Sequence, residues 1–144
     1  MKPVNKTQFS IVLANRRGEL AKLADVMAKA NVNIEALAIS DGIHAGVVKL
    51  VVANPDVARS AFTEAKLSFC EQQVCALPLP NQPGALARLC AKLAEEGHSI
   101  DYVYGSTCTC EGVTNGACTP MLMLSAGSLK DATALELAAL WPGP

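Results

Sequence analysis

Charge is scarce in this sequence, and what there is nearly cancels. Only 17% of the residues are charged, 12 basic against 13 acidic, for a formal net charge of −1. A surface that grips a polyanion needs a clustered basic excess, so nucleic acid is not an expected partner. Long apolar runs are missing too; those present fall far short of the ~20 residues that span a bilayer. No basic-then-apolar N-terminal stretch reads as a secretory signal, so a cytoplasmic location with no membrane partner is expected. No Gly/Ser-rich or Pro-rich linker interrupts the chain, which argues for rigidly packed parts. Nucleophilic catalysis finds no support either. Neither His44 nor His98 stands in a Ser, Cys or Asp arrangement that suggests nucleophilic chemistry.

Apolar residues, by contrast, make up 51% of the chain. A small protein has a poor surface-to-volume ratio and usually carries a more charged exterior. Some apolar surface is therefore expected to be buried against a second copy, in a homodimer or higher homo-oligomer. The six cysteines are Cys70, Cys75, Cys90, Cys108, Cys110 and Cys118. Without a secretory signal, and with enough apolar residues for a core, they read as free thiols in a reducing compartment.

The chain repeats itself with an offset of 66 residues. Leu13, Asn15 and Gly18 meet Leu79, Asn81 and Gly84; Leu20, Ala21 and Leu23 meet Leu86, Ala87 and Leu89; Ile34 and Glu35 meet Ile100 and Asp101. Each copy reads as strand, turn, helix, strand. Phe9 to Ala14 is a short apolar run, and Leu20, Leu23, Ala24 and Met27 then follow at helical spacing. Leu86, Leu89, Cys90 and Leu93 make the same stripe in the second copy, and Cys90 reads as a core residue. Asn31 and Gly97 stand where a helix can close in a left-handed conformation.

Strands are expected at 34–40 and 45–53, joined around Asp41-Gly42, a dipeptide of tight hairpins. Asn54 suits an N-cap and Pro55 the first helical position. Ala58, Ala61, Phe62 and Ala65 mark one face of that second helix, and a strand over 67–72 closes the order βαββαβ. The fold class is α+β: two tandem ferredoxin-like modules, 1–72 and 73–144, each an antiparallel sheet with helices on one face.

The second module departs from the first in two places. About six extra residues enter its hairpin, carrying Cys108, Cys110 and Cys118. Its end, Trp141-Pro142-Gly143-Pro144, cannot make a ladder strand, so its last strand is missing or atypical. That absence would bare the strand from Gln73 to Leu79. A neighbouring chain, the segment 1–6 or the stretch around Trp141 could cover it.

The strand–turn–helix junctions carry the functional signal. Glycine at 18 and 84 lets a ligand approach the backbone, and the first amides of a helix can receive a carboxylate. Asn15 and Asn81 can bond a ligand's polar groups; a turn alone also uses Asn and Gly. Leu79-Pro80-Asn81-Gln82-Pro83-Gly84-Ala85-Leu86, followed by Gly97-His98-Ser99-Ile100-Asp101, resembles the ACT-domain pattern. The first copy is similar through Asn15-Arg16-Arg17-Gly18-Glu19-Leu20 and Asn31-Val32-Asn33-Ile34.

ACT modules are regulatory and bind amino acids or similar small effectors. The resemblance implies ligand-binding positions at Asn15, Gly18, Glu19, Leu20, Asn33 and Ile34, and at Asn81, Gly84, Ala85, Leu86, Ser99 and Ile100. It implies no catalytic residue, cofactor or resident metal. Arg17 stands where the family often has Pro, and His98 and Ser99 replace the more usual Ile and Asn, so the two sites need not be equivalent. Such modules are usually fused to an enzyme or a DNA-binding domain, for which 144 residues leave little room. Two rival readings remain. One is a soft-metal or redox site at Cys108, Cys110 and Cys118. The other is an enzyme on a ferredoxin-like scaffold, which no residue constellation supports.

Overall fold

The computed structural model describes residues 3–40, 42–105 and 121–127. Among them are six strands and three helices. In chain order these are β1 (Val4–Ala14), α1 (Glu19–Lys29), β2 (Ile34–Ser40), β3 (Ala45–Val52), α2 (Pro55–Glu64), β4 (Phe69–Pro78), α3 (Ala85–Glu95), β5 (Tyr102–Gly105) and β6 (Met121–Ser125). The chain divides into two compact units, Thr7–Gln72 and the residues from Gln73 onward joined by Met1–Lys6. The expected hairpin insertion, with Cys108, Cys110 and Cys118, and the chain end Trp141-Pro142-Gly143-Pro144 lie outside the described residues.

In the unit 7–72 the strand order is β2-β3-β1-β4, the ferredoxin-like arrangement. β1 runs antiparallel to β3 and β3 to β2. Alternate residues along these strands point the same way, so Phe9, Ile11, Val48, Leu50 and Val52 share one face. Leu23 and Met27 of α1 and Ala58 and Phe62 of α2 pack on that face, which places both helices on one side of the sheet. Phe9, Phe62 and Phe69 meet edge-on or tilted, with ring centroids 5.2–5.6 Å apart. The helix ends follow local chemistry. Asn54 accepts a hydrogen bond from the Val57 amide at 3.3 Å, and Pro55 opens α2. After α1, Asn31 takes φ 55° and the Val32 amide donates back to the Met27 carbonyl, a left-handed closure. Gly97 and His98 close α3 in the same way.

In the other unit the order is β1-β4-β6-β5. Cys75, Leu77, Leu122 and Leu124 face α3 and pack on Leu89 and Leu93. β4 therefore has a neighbour on each side, and the bare edge expected at 73–79 is not present. The start of β1, Val4–Lys6, belongs to this unit and occupies that side. Two further expectations are corrected. The strands expected at 67–72 and 73–79 are one strand, Phe69–Pro78, because no Gly, Pro, Asn or Asp interrupts it before its end. Leu20, Ala24 and Leu86 are exposed and Cys90 only half-buried, so the buried stripe of each long helix is narrower than its apolar spacing.

Candidate functional site

Each unit has a cavity where its strand turns into its helix. The first is bounded by Leu13, Ala14, Asn15, Arg16, Glu19 and Leu20, with Ile39, Ser40, Gly42, Gly46 and Val48 opposite. The second is bounded by Leu79, Pro80, Asn81, Gln82, Gly84, Ala85 and Leu86, with Gly105, Met121 and Leu122 opposite. Offset by 66, Leu13, Ala14, Asn15, Arg16, Glu19 and Leu20 correspond to Leu79, Pro80, Asn81, Gln82, Ala85 and Leu86. The same six turn positions line both cavities.

Identical hydrogen bonds build the two turns. The Arg16 amide donates to the Ala14 carbonyl at 2.8 Å and Gln82 to Pro80 at 2.9 Å. Glu19 donates to Arg16 at 3.3 Å and Ala85 to Gln82 at 3.2 Å; Lys22 donates to Gly18 and Arg88 to Gly84, each at 3.0 Å. Gly18 has φ 89° and ψ −7°, and Gly84 φ 84° and ψ −8°. This left-handed conformation costs a residue with a Cβ roughly 1–2 kcal/mol, which accounts for glycine at both positions. Neither helix has a side-chain cap, so no side-chain acceptor takes its first amides.

The expected site residues divide as follows. Asn15, Glu19 and Leu20 line the first cavity, and Asn81, Gly84, Ala85 and Leu86 line the second. Gly18 shapes its turn without bounding the cavity. Asn33, Ile34, Ser99 and Ile100 bound neither cavity. Ile34 and Ile100 pack against the cores of their units, and the Asn33 carbonyl accepts from the Ala53 amide at 3.0 Å. Asn15 has a structural duty as well. Its side-chain amide donates to the Gly42 carbonyl at 3.2 Å, and its backbone amide to His44 at 2.9 Å, tying the end of β1 to the β2–β3 connection. The sequence reading missed the opposite walls, because strand register rather than any local motif brings Ile39, Ser40, Gly46, Gly105 and Met121 to the turns. Asp41-Gly42 marked the hairpin but not its proximity to Asn15.

The cavities differ in size and charge. The first holds about 140 Å³ and the second about 350 Å³. Small-molecule sites usually hold roughly 300–1,000 Å³, a range the second reaches. At the first, Glu19 accepts from Lys22 Nζ at 3.2 Å and lies 3.9 Å from the Arg16 guanidinium. At the second, Ala85 replaces Glu19 and the first turn of α3 carries no acidic residue.

The remaining thiols show no ligand set. Cys70, Cys75 and Cys90 are free, and burial pushes the Cys75 thiol up to about 12, so it stays protonated at neutral pH. Among the described residues no three His, Cys, Asp or Glu side chains gather as metal ligands, and no helix is long and apolar enough to cross a membrane.

Comparison with known proteins agrees with this architecture. A protein of Bacteroides thetaiotaomicron is 27% identical in its crystal structure, with a TM-score of 0.79, covering 94% of this chain and 87% of its own. The ligand-free regulatory subunit of aspartate kinase from Thermus thermophilus is 12% identical, with a TM-score of 0.67 over 99% of this chain and 98% of its own. Aspartokinase III of E. coli, in complex with lysine and aspartate, is 16% identical, with a TM-score of 0.50 over 94% of this chain and 30% of its own. No curated protein matches the chain by sequence. The family model described as an ACT domain pair matches residues 4–115, and the chain belongs to that family.

Proposed function

We propose that this ACT domain pair is a regulatory protein that binds an amino acid or similar small effector at its strand–turn–helix cavities and catalyses no reaction itself. The observation that carries this reading is the duplicated turn. Six equivalent residues, held by the same backbone hydrogen bonds, open twice onto a cavity. A turn needed only to reverse the chain has no requirement for a void beside it. Glu19 and Ala85 spend their amides within the turn, and the amides that follow them in the first turn of each helix offer donors to a carboxylate. Likeness to a regulatory subunit of aspartate kinase, and to an aspartokinase crystallised with lysine and aspartate, supports an amino acid as the effector. The protein acts in the cytoplasm as a homo-oligomer in this reading, and its charge-poor composition and the exposed Leu37, Ile39 and Ile43 support the self-association.

A thermal-shift screen of the full chain against the twenty amino acids tests the reading. A ligand that binds only the folded state raises the melting temperature, by an amount set by its concentration relative to Kd. At least one amino acid is expected to do so. Leu86→Asp should remove that shift while leaving the unliganded melting temperature nearly unchanged, since Leu86 lines the second cavity and is 47% exposed. A screen in which no amino acid moves the transition overturns the proposal.

A further inference from the structure

We infer that Gly105 is a specificity-determining residue: it opens the second cavity to an effector with a bulky apolar side chain, which Ile39, its counterpart in the first unit, keeps out of the first. This rests on the effector-binding reading above and narrows it to one site per chain and one size of ligand.

Matched rows across the strands carry the argument. In the first unit Ile11 of β1, Val48 of β3 and Ile39 of β2 stand side by side. In the second the same row is Leu77 of β4, Leu122 of β6 and Gly105 of β5. Ile11 and Ile39 lie 66 residues before Leu77 and Gly105, so the row keeps the offset of the repeat. Val48 and Ile39 line the first cavity, and Leu122 and Gly105 line the second. The row thus holds an apolar side chain at two of its three places and loses it at the third. The turn wall changes in the same direction, because Ala85 stands where Glu19 does. Lys22 Nζ, at 3.2 Å, holds the Glu19 carboxylate in place. Two large side chains on opposite walls of the first cavity are a hydrogen and a methyl group in the second. The volumes, about 140 Å³ and about 350 Å³, differ in the sense that these replacements require.

The space gained is apolar. Leu79, Leu86, Met121 and Leu122 border it, and no charged side chain among the described residues lines it. Each methylene that a ligand buries there raises its affinity about fourfold. A charged side chain would lose its water and find no charged partner. Position 105 is also where this wall has least slack. A Cβ added to Gly105 would lie 3.1 Å from Leu122 Cδ1 and 2.9 Å from the Met121 carbonyl oxygen. Even a methyl group there presses on the wall of the cavity.

The test is isothermal titration of the full chain with L-valine, L-leucine, L-isoleucine, L-methionine and L-phenylalanine, against glycine, L-alanine and L-serine. The tightest of the five apolar ligands should bind one per chain, about tenfold or more tighter than any of the three small ones. Gly105→Val should weaken it by about tenfold or more. The double variant Glu19→Ala, Ile39→Ala opens the first cavity and should take up a second equivalent of the same amino acid. A gain of binding cannot arise from damage to the fold, so this variant decides the matter if Gly105→Val does not fold. Ile39 is 51% exposed, and melting curves without ligand check both variants. Two equivalents bound by the wild type, or a small amino acid bound as tightly as the best apolar one, overturns the inference. So does binding to Gly105→Val within about threefold of wild type, or a double variant that still takes one equivalent. A chain that answers only amino acids outside the five overturns it while leaving the regulatory reading standing. A chain that answers none of the twenty overturns both.

Discussion

Arg59 joins α2 to β4 through a charged fork. Its Nε and Nη2 donate to the two carboxylate oxygens of Glu71 at 2.9 and 2.6 Å, and its Nη1 donates to Asp56 at 2.8 Å. The pair is largely exposed, so salt screens it and its effect is small. Its pH dependence is nevertheless diagnostic. The Arg59 hydrogen bonds hold the Glu71 carboxyl below its ordinary value of 4.5. A carboxyl depressed in the folded state contributes stability above its unfolded value and loses it as pH falls through the folded value. Arg59→Met should therefore melt at a lower temperature than the parent at neutral pH. The gap should narrow as pH falls below about 4.5. A gap that stays constant down to about pH 3 would mean that Arg59 acts by packing its aliphatic stem instead.

Elements were legible where their signals are local. Asn54-Pro55 announces the start of α2 because a side-chain acceptor and a preset φ act within one turn, and the structure places both as expected. Asn54→Ala should cost about 1 kcal/mol, seen as a fall of a few degrees in melting temperature. An unchanged melting temperature would mean that solvent satisfies the Val57 amide equally well. Legibility fails where the answer depends on what lies opposite. Helical spacing shows that Leu20, Leu23, Ala24 and Met27 share a side, but not how far the sheet reaches. Leu23 and Met27 meet it, while Leu20 is left at the cavity. The repeat similarly suggested a break between Gln72 and Gln73, although the residues there favour one unbroken strand. The turn half of each cavity was readable from the doubled motif. The hairpin half was not, since Ile39 and Gly46 reach the turn only through the pairing of β1, β3 and β2.

At the scale of the whole molecule, the free edge matters most. Among the described residues β2 has a neighbour on one side only and ends the strand order of its unit. An open edge presents unpaired N–H and C=O groups, which proteins usually protect with charge, proline or a bulge. Between Ile34 and Ser40 the only charged residue is Glu35. Leu37 and Ile39 pair in register with Leu50 and Val48, so they lie on the helix-bearing face, yet they remain 40% and 51% exposed. Nearby Ile43 is 89% exposed. Glu35 and a register shift between Ile34 and Ala36 protect only the start of this edge, and the apolar side chains beyond them fit a second copy of the same edge, related by a two-fold axis that gives both copies the same contacts. Light scattering at micromolar concentration should therefore report twice the 15.0 kDa of one chain. Leu37→Lys places a charge on the edge without disturbing a buried side chain, and should shift the population to single chains while the melting temperature of the monomer survives. A wild-type protein that stays at 15.0 kDa across that range would refute self-association, and a Leu37→Lys variant that remains dimeric would place the contact elsewhere.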